Sequence, residues 1–100
     1  MTDPTFQVVH NAAARRFEAT VEGQLARADY QLDDGVMRMV HTDVPRALEG
    51  RGIAGALVQA ALEHARAQDL CVEPVCPYVA GYMKRHPETL DLLAPGVVLR

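Results

Sequence analysis

Apolar and polar residues alternate through the first half of the chain, which is the period of half-buried β-strands. One alternating run spans residues 17–21 and a second spans residues 26–32, with Gly23 between them to allow a tight turn. A shorter strand is predicted before them at residues 6–10. The pattern therefore predicts antiparallel strands, each with one face on a core and one face in water.

A further strand follows an Asp-Gly hairpin signal. The turn is predicted at residues 33–35, where Asp34 precedes Gly35, and the return strand at residues 36–44. Pro45 ends this strand because it has no backbone N–H to donate to a neighbouring strand.

In the second half of the chain the apolar period becomes helical. An amphipathic helix is predicted at residues 52–68, with its apolar residues on one side. A short strand at residues 72–75 and a second helix at residues 78–85 follow, and Pro87 ends that helix. The last segment, residues 90–100, is apolar, and its pattern favours neither a helix nor a strand.

This order of elements predicts an α+β fold, in which antiparallel strands precede one strand-helix-strand unit. The two strands of such a unit are parallel, and its crossover is right-handed with the helix over one face of the sheet. The chain has 100 residues and contains no internal repeat or linker, so a single domain over residues 1–100 is predicted.

Composition and charge narrow the classes of function. Ten Lys and Arg stand against thirteen Asp and Glu, and the formal net charge is -3. Nucleic-acid binding is not expected, because it usually needs a concentrated basic patch. The apolar stretches fall far short of the roughly 20 residues that cross a bilayer. The N-terminal run lacks the features of a secretory signal, so a cytoplasmic protein is expected.

The spacing of the cysteines does not favour a disulfide, and the spacing of the histidines does not match a metal site. Cys71 and Cys76 are separated by an odd number of positions, which places them on opposite faces of a strand. In an extended segment they would lie about 16 Å apart, too far for a disulfide. The four histidines, at positions 10, 41, 64 and 86, are scattered rather than paired at zinc-site spacing. We therefore expect neither a disulfide nor a structural metal.

The most informative stretch is the glycine-rich turn before the long helix, which contains Gly50, Gly52 and Gly55. A helix N-terminus presents about four unpaired backbone N–H groups and a partial positive charge. Glycines allow an anion to approach those groups closely. The turn predicts an anion site; the alternative is that the glycines only turn the chain.

Two common phosphate-binding motifs do not fit this turn. A P-loop requires a Lys followed by a hydroxyl, and neither is present. The spacing Gly50-x-Gly52-x-x-Gly55 matches the dinucleotide fingerprint, with Asp69 or Glu73 as the acidic residue. That fingerprint belongs to an early βαβ unit with further parallel strands after it, whereas here antiparallel strands come first. A dinucleotide site is therefore not favoured.

The run from Glu49 to Ala54, E-G-R-G-I-A, resembles motif A, Q/R-x-x-G-x-G/A, of the GNAT superfamily of acetyl-CoA-dependent N-acetyltransferases. Glu49 stands where Gln or Arg is usual in that family. Segments 44–45, 76–79 and 82–88 also resemble the short single-domain branch of the superfamily. The resemblance extends from about residue 15 to residue 92.

This resemblance implies a GNAT-like fold with a V-shaped opening between the strands that end at Val44 and Val75. In the family, the pantetheine arm of acetyl-CoA lies in that opening and the diphosphate binds amides at the start of the helix. Arg46 and Arg51 would contact phosphates or remain solvated turn residues. The implied residues for binding coenzyme A are Asp43, Val44, Arg46, Glu49, Gly50, Arg51, Gly52, Ile53, Ala54 and Gly55.

Three side chains are candidates for catalysis. Tyr82-x-Lys84 is similar to the family's Y-x-K, in which the Tyr protonates the departing thiolate; a packing role is the alternative. Cys76 ends a strand near the implied acetyl group, as a nucleophile or as a small buried thiol. His41 is predicted to share a strand face with Met39, as a proton relay or as a core histidine.

Two functions follow from these expectations. The first is an N-acetyltransferase that transfers an acetyl group from acetyl-CoA to an amine by direct attack. The second is a module that binds coenzyme A, acyl-CoA or another protein with little turnover. The short turn between the first strands favours the second function, because longer members of the family insert helices there that help to hold the acceptor.

Overall fold

The computed structural model of the chain describes residues 6–99. Residues 1–5 lie outside that range, and so does Arg100, the last residue of the unassigned segment 90–100. No helix within the range is long and apolar enough to span a membrane. The elements are β1 (Val9–Asn11), β2 (Arg16–Val21), β3 (Gln24–Asp33), β4 (Val36–Asp43), a 3₁₀ helix (Arg46–Leu48), α1 (Ile53–Ala67), β5 (Cys71–Pro74), α2 (Pro77–Arg85) and a second 3₁₀ helix (Pro87–Leu92).

The strands form one five-stranded sheet in chain order. The pairs from β1 to β4 are antiparallel, and β5 is parallel to β4 with α1 as the connection. This arrangement confirms the predicted α+β fold with one strand-helix-strand unit. The first strand is shorter than predicted and begins at Val9.

Two tight turns connect β2 to β3 and β3 to β4. Glu22 and Gly23 have φ angles of 51° and 75°, and Asp34 and Gly35 have φ angles of 54° and 80°. Positive φ at both central residues defines a type I′ turn, whose twist matches that of the flanking strands. The first turn was predicted from Gly23 and the second from the Asp34-Gly35 pair, and the structure confirms both hairpins.

The core lies between the sheet and α1, which packs on β2, β3, β4 and β5. The predicted apolar stripe of α1 is buried, and the facing strand positions carry side chains such as Phe17, Ala28 and Met39. Leu32, next to the second turn, is exposed despite its place in the alternating pattern. The buried residues of α1 are Ile53, Leu57, Val58, Ala61, Leu62 and Ala65.

The opposite face of the sheet carries charged side chains. In the β2–β3 register, Arg16 lies opposite Asp29 and Glu18 lies opposite Arg27. Ion pairs also link Arg16 to Glu18 at 2.6 Å and Arg27 to Asp29 at 3.1 Å. Each such pair contributes little stability, about 0.2–1 kcal/mol. Their alternating signs suit this face to water rather than to a second core layer.

His41 does not share a face with Met39, which corrects the prediction for this strand. The β3–β4 register shifts so that Tyr30 pairs with Met39 while the adjacent Asp29 pairs with His41. Such a bulge inserts one residue and reverses the alternation that follows it. His41 is therefore exposed opposite Asp29, and Thr42 takes the place that His41 was expected to have on the helix side.

The final segment, which the sequence left unassigned, packs alongside β5. After the second 3₁₀ helix, Leu93 forms an isolated parallel bridge with Val72. The amide of Ala94 donates to the carbonyl of Val72 over 2.9 Å. This segment covers part of the free edge of β5.

Candidate functional site

β4 and β5 separate at one end, which creates an opening at the carboxyl end of the parallel pair. Their pairing ends with Met39 opposite Pro74, and the amide of Cys76 donates to the Met39 carbonyl over 2.8 Å. β4 continues to Asp43 without a partner on that side among the described residues. This geometry agrees with the V-shaped opening that the resemblance implied.

A cavity of about 450 Å³ lies where β4, the glycine-rich turn and the start of α1 meet. We call it the β4–α1 cleft. Most of the residues implied for coenzyme binding line it, whereas Asp43, Arg46 and Arg51 are outside its lining. The lining residues are Thr42, Val44, Leu48, Glu49, Gly50, Gly52, Ile53, Ala54, Gly55 and Tyr78.

The backbone amides at the start of α1 are available to a ligand. Gly52 is the N-cap with φ of 78°, and Gly50 has φ of 83°; L-residues rarely adopt these values. Within residues 6–99, no protein acceptor takes an amide hydrogen from residues 50–55. A Cβ added at Gly50 or Gly52 would meet nothing within 4 Å, so the space in front of the turn is open. The turn therefore has the geometry of an anion cradle.

The two arginines of the turn differ in their contacts. The guanidinium of Arg51 donates to the carboxylate of Glu22 over 2.8 Å, which ties the turn to the β2–β3 hairpin. Both side chains are substantially exposed. Arg46, in the first 3₁₀ helix, is exposed as well. A phosphate contact by Arg51 would therefore compete with the carboxylate of Glu22.

Cys76 lies beyond the cleft, where β4 and β5 separate. It is the N-cap of α2 and is only 7% exposed. Its Sγ lies 3.7 Å from Oγ1 of Thr42. Cys71 and Cys76 are both free thiols. The sequence did not identify Thr42, because its inward orientation depends on the bulge in the β3–β4 register.

Two tyrosines of α2 flank Gly55. The Tyr78 hydroxyl lies 3.6 Å from the position of a Cβ added at Gly55, and Cε2 of Tyr82 lies 4.0 Å from it. Burial raises the pKa of Tyr82, and Glu88 reinforces the shift. Tyr78 lines the cleft, although the sequence reasoning selected only Tyr82. A spacing of four residues on a helix is the signal that could have found it, because it places both rings on one face.

The remaining histidines lie away from the cleft. The His86 ring stacks on Tyr82, with ring centroids 4.0 Å apart. The His10 ring stacks on Phe17 at 4.2 Å and meets His64 edge-on at 4.4 Å. Among the described residues, no three His, Cys, Asp or Glu side chains are grouped so that they could hold a metal ion.

Comparison with known proteins agrees with this geometry. Residues 16–92 match the model of the GCN5-related N-acetyl-transferase family. Protein NATD1 of Gallus gallus is 37% identical over 89% of this chain and 86% of its own length. Protein NATD1 of Homo sapiens is 35% identical over 89% of this chain and 83% of its own length.

A solved structure shares the fold. The NMR solution structure of a GCN5-like protein from Staphylococcus aureus superimposes with a TM-score of 0.72, covers 92% of this chain and 91% of its own, and has 21% sequence identity. Together with the family match and the NATD1 relatives, these findings show that the chain belongs to the GCN5-related N-acetyltransferase family.

Proposed function

We propose that this protein transfers an acetyl group from acetyl-CoA to an amine. The observation that supports the proposal most directly is the set of unpaired amides at the start of α1, which face an open cleft. A diphosphate carries negative charge that these amides and the positive end of the helix dipole stabilise. The space in front of Gly50 and Gly52 is open, so a diphosphate could approach the amides there. A side chain at either position would occupy part of that space.

The unpaired edge of β4 suits the pantetheine arm of the coenzyme. β4 extends beyond its last partner in β5, so the backbone groups that point to this edge at the end of the strand are open to hydrogen bonds with an extended ligand. Val44, Leu48 and Ile53 supply the apolar side of the same cleft. The arrangement leads from the amides of α1 toward Thr42 and Cys76.

When bound, acetyl-CoA would supply a thioester whose carbonyl carbon an amine attacks, with cleavage of the carbon–sulfur bond. The chain must then provide a proton for the departing thiolate. We assign this step to Tyr78, because this residue lines the cleft and its hydroxyl lies against Gly55, which also lines the cleft. Tyr82, the acid implied by the sequence resemblance, forms the wall behind Gly55 and is the alternative donor.

We propose direct attack by the amine, with Cys76 as a packing residue. A nucleophilic thiol needs a neighbouring base or cation, and the only side-chain hydrogen bond of Cys76 within the described residues is to the Thr42 hydroxyl. Its position at the N-cap of α2 is the feature that would favour a thiolate. Cys76→Ala distinguishes the two mechanisms, because it retains turnover under direct attack and abolishes turnover if an acetyl-cysteine forms.

The test is acetyl-CoA consumption with a panel of primary amines, together with thermal stabilisation by acetyl-CoA. We expect turnover that falls at least about tenfold in Tyr78→Phe, the low end for loss of a general acid, while Tyr82→Phe retains most of it. The reverse order would assign the acid to Tyr82. Stabilisation without turnover would support the binding module instead, and the absence of both would contradict the proposal.

A further inference from the structure

The ring of Tyr82, which backs Gly55 of the β4–α1 cleft, also lines a second cavity. This cavity has a volume of about 310 Å³ and opens between α1, α2 and the second 3₁₀ helix. Its lining includes Glu63 on α1, His86 at the C-cap of α2 and Glu88 on the 3₁₀ helix. We call it the α1–α2 cavity. None of its lining residues belongs to the lining of the first cleft.

The charge of the α1–α2 cavity is negative. Arg66 is the one cation among its lining residues, and Asp91 neutralises it through two contacts of 2.7 Å and 2.9 Å. Glu63 accepts a hydrogen bond from the neutral amide of Gln59 over 3.2 Å. Within residues 6–99, neither Glu63 nor Glu88 takes part in a side-chain ion pair. Two carboxylates therefore lack a counterion in the cavity.

The imidazole of His86 adds a hydrogen-bond acceptor. Its Nδ1 lies 2.8 Å from the backbone carbonyl of Tyr82, and a carbonyl can only accept. Nδ1 therefore carries a proton, and in the neutral ring Nε2 remains an acceptor. The Thr89 hydroxyl donates to the His86 carbonyl over 2.7 Å, so its proton is already in use.

Tyr82, which also lines the α1–α2 cavity, has a hydroxyl without a hydrogen-bond partner among the described residues. Its side chain is only 9% exposed, and its hydroxyl has no hydrogen bond to any other described residue. Every fully buried side-chain polar atom of the described residues has a hydrogen-bond partner. Because the Tyr82 hydroxyl has none, its oxygen must be accessible to solvent. Tyr82 lines this cavity and not the β4–α1 cleft. Burial raises the pKa of Tyr82, and the charges of Glu88 and Glu63 raise it further, so its hydroxyl lies near the two carboxylates of the cavity. The stacked Tyr82 and His86 rings form an apolar wall beside it, together with Leu62 and Leu92.

We propose that the α1–α2 cavity binds an organic ammonium ion that carries a short apolar stem. The carboxylates of Glu63 and Glu88 attract the charge of the ammonium group, Nε2 of His86 is a further acceptor in the same cavity, and the stem packs beside the stacked Tyr82 and His86 rings. An anion would meet two uncompensated carboxylates, and a neutral alcohol would lack the charge that they attract. The proposal goes beyond the coenzyme cleft and does not depend on acetyl transfer.

The test is an NMR titration of the ¹⁵N-labelled full chain with 1,5-diaminopentane, with 1,5-pentanediol as the neutral control. We expect saturable shifts of the Glu63 and Thr89 amides with the diamine and none with the diol. The double variant Glu63→Gln/Glu88→Gln is expected to weaken diamine binding about tenfold, as for the loss of two exposed charge contacts. The matched control is Asp33→Asn/Asp34→Asn, which removes the same charge from the β3–β4 hairpin and leaves the affinity unchanged.

Absence of shifts at the cavity, equal binding of the diol, or equal weakening in the hairpin variant would each overturn the proposal. A parallel titration with Nα-acetyl-lysinamide separates the two sources of such an ammonium group. Binding of both probes supports a lysine side chain of a partner protein as the ligand. Binding of the diamine alone supports a small polyamine.

Discussion

Among single residues, Gly52 is the one on which the proposed coenzyme site depends most. Its φ of 78° makes it the N-cap that turns the amides of α1 toward the cleft. Gly96 provides a matched comparison, because it has φ of 85° and likewise has open space where a Cβ would lie. It is not among the residues that line the cleft. The two glycines therefore share a left-handed backbone conformation but not their proposed role.

Gly52→Ala and Gly96→Ala should each destabilise the fold by about 1–2 kcal/mol, the cost of left-handed backbone for an L-residue. Only Gly52→Ala should also weaken acetyl-CoA binding, because its methyl group stands in front of the free amides. Urea denaturation measures the first effect and isothermal titration calorimetry the second. Equal acetyl-CoA affinity in the two variants would show that the Gly52 amide region does not contact the coenzyme.

Glu22 holds Arg51 in an exposed ion pair, and that pair limits what Arg51 can offer to a phosphate. Glu22→Gln should release the guanidinium and raise acetyl-CoA affinity by a few-fold, about the value of one exposed charge contact. The gain should disappear in the double variant Glu22→Gln/Arg51→Gln and should diminish at high salt. Calorimetry at two ionic strengths measures both effects. Unchanged affinity in Glu22→Gln would remove Arg51 from the binding site.

At the scale of elements, a histidine pair links the edge strand β1 to α1. The His10 ring contacts the ring of His64 and is hydrogen-bonded to the hydroxyl of Tyr30. Burial lowers the pKa of His10, and the nearby His64 lowers it further. The unfolded chain therefore binds this proton more readily than the folded chain does. Stability is fully present above the ordinary histidine pKa of 6.5 and is lost as pH falls through the lowered value.

The free energy of unfolding should therefore decrease between pH 7 and pH 5. His10→Phe should flatten this dependence, because phenylalanine keeps a ring on Phe17 and has no proton to bind. Denaturant unfolding at the two pH values gives the slope for each protein. An equally steep slope in His10→Phe would assign the acid sensitivity to other groups.

The sequence correctly predicted the elements that are determined by residues close together in the chain. The Asp34-Gly35 turn and the apolar stripe of α1 depend on neighbouring residues, so their pattern was sufficient. The bulge that turns His41 outward and Thr42 inward depends on the register between β3 and β4, which no local pattern records. The glycine turn could be identified because its glycines are neighbours in the sequence. Tyr78 was missed because its position depends on how α2 packs beside α1.

In the molecule as a whole, the sheet and α1 together frame the β4–α1 cleft. The parallel pairing of β4 and β5 ends where the cleft begins, and α1 starts at the same level. The position of the proposed coenzyme site thus follows from the topology, whereas no element in the described part of the chain would enclose the acceptor. This combination suits an acceptor that is large or that binds on an open surface.

In the proposed function, the main-chain amides at the start of α1 bind the diphosphate of coenzyme A. The most direct measurement is a ¹⁵N–¹H correlation spectrum of the full chain during titration with coenzyme A. The account predicts that the largest amide shifts occur at residues 50–55, with the Gly96 amide unmoved as an internal reference. A titration in which those amides stay in place while coenzyme A binds elsewhere, or does not bind, would contradict it.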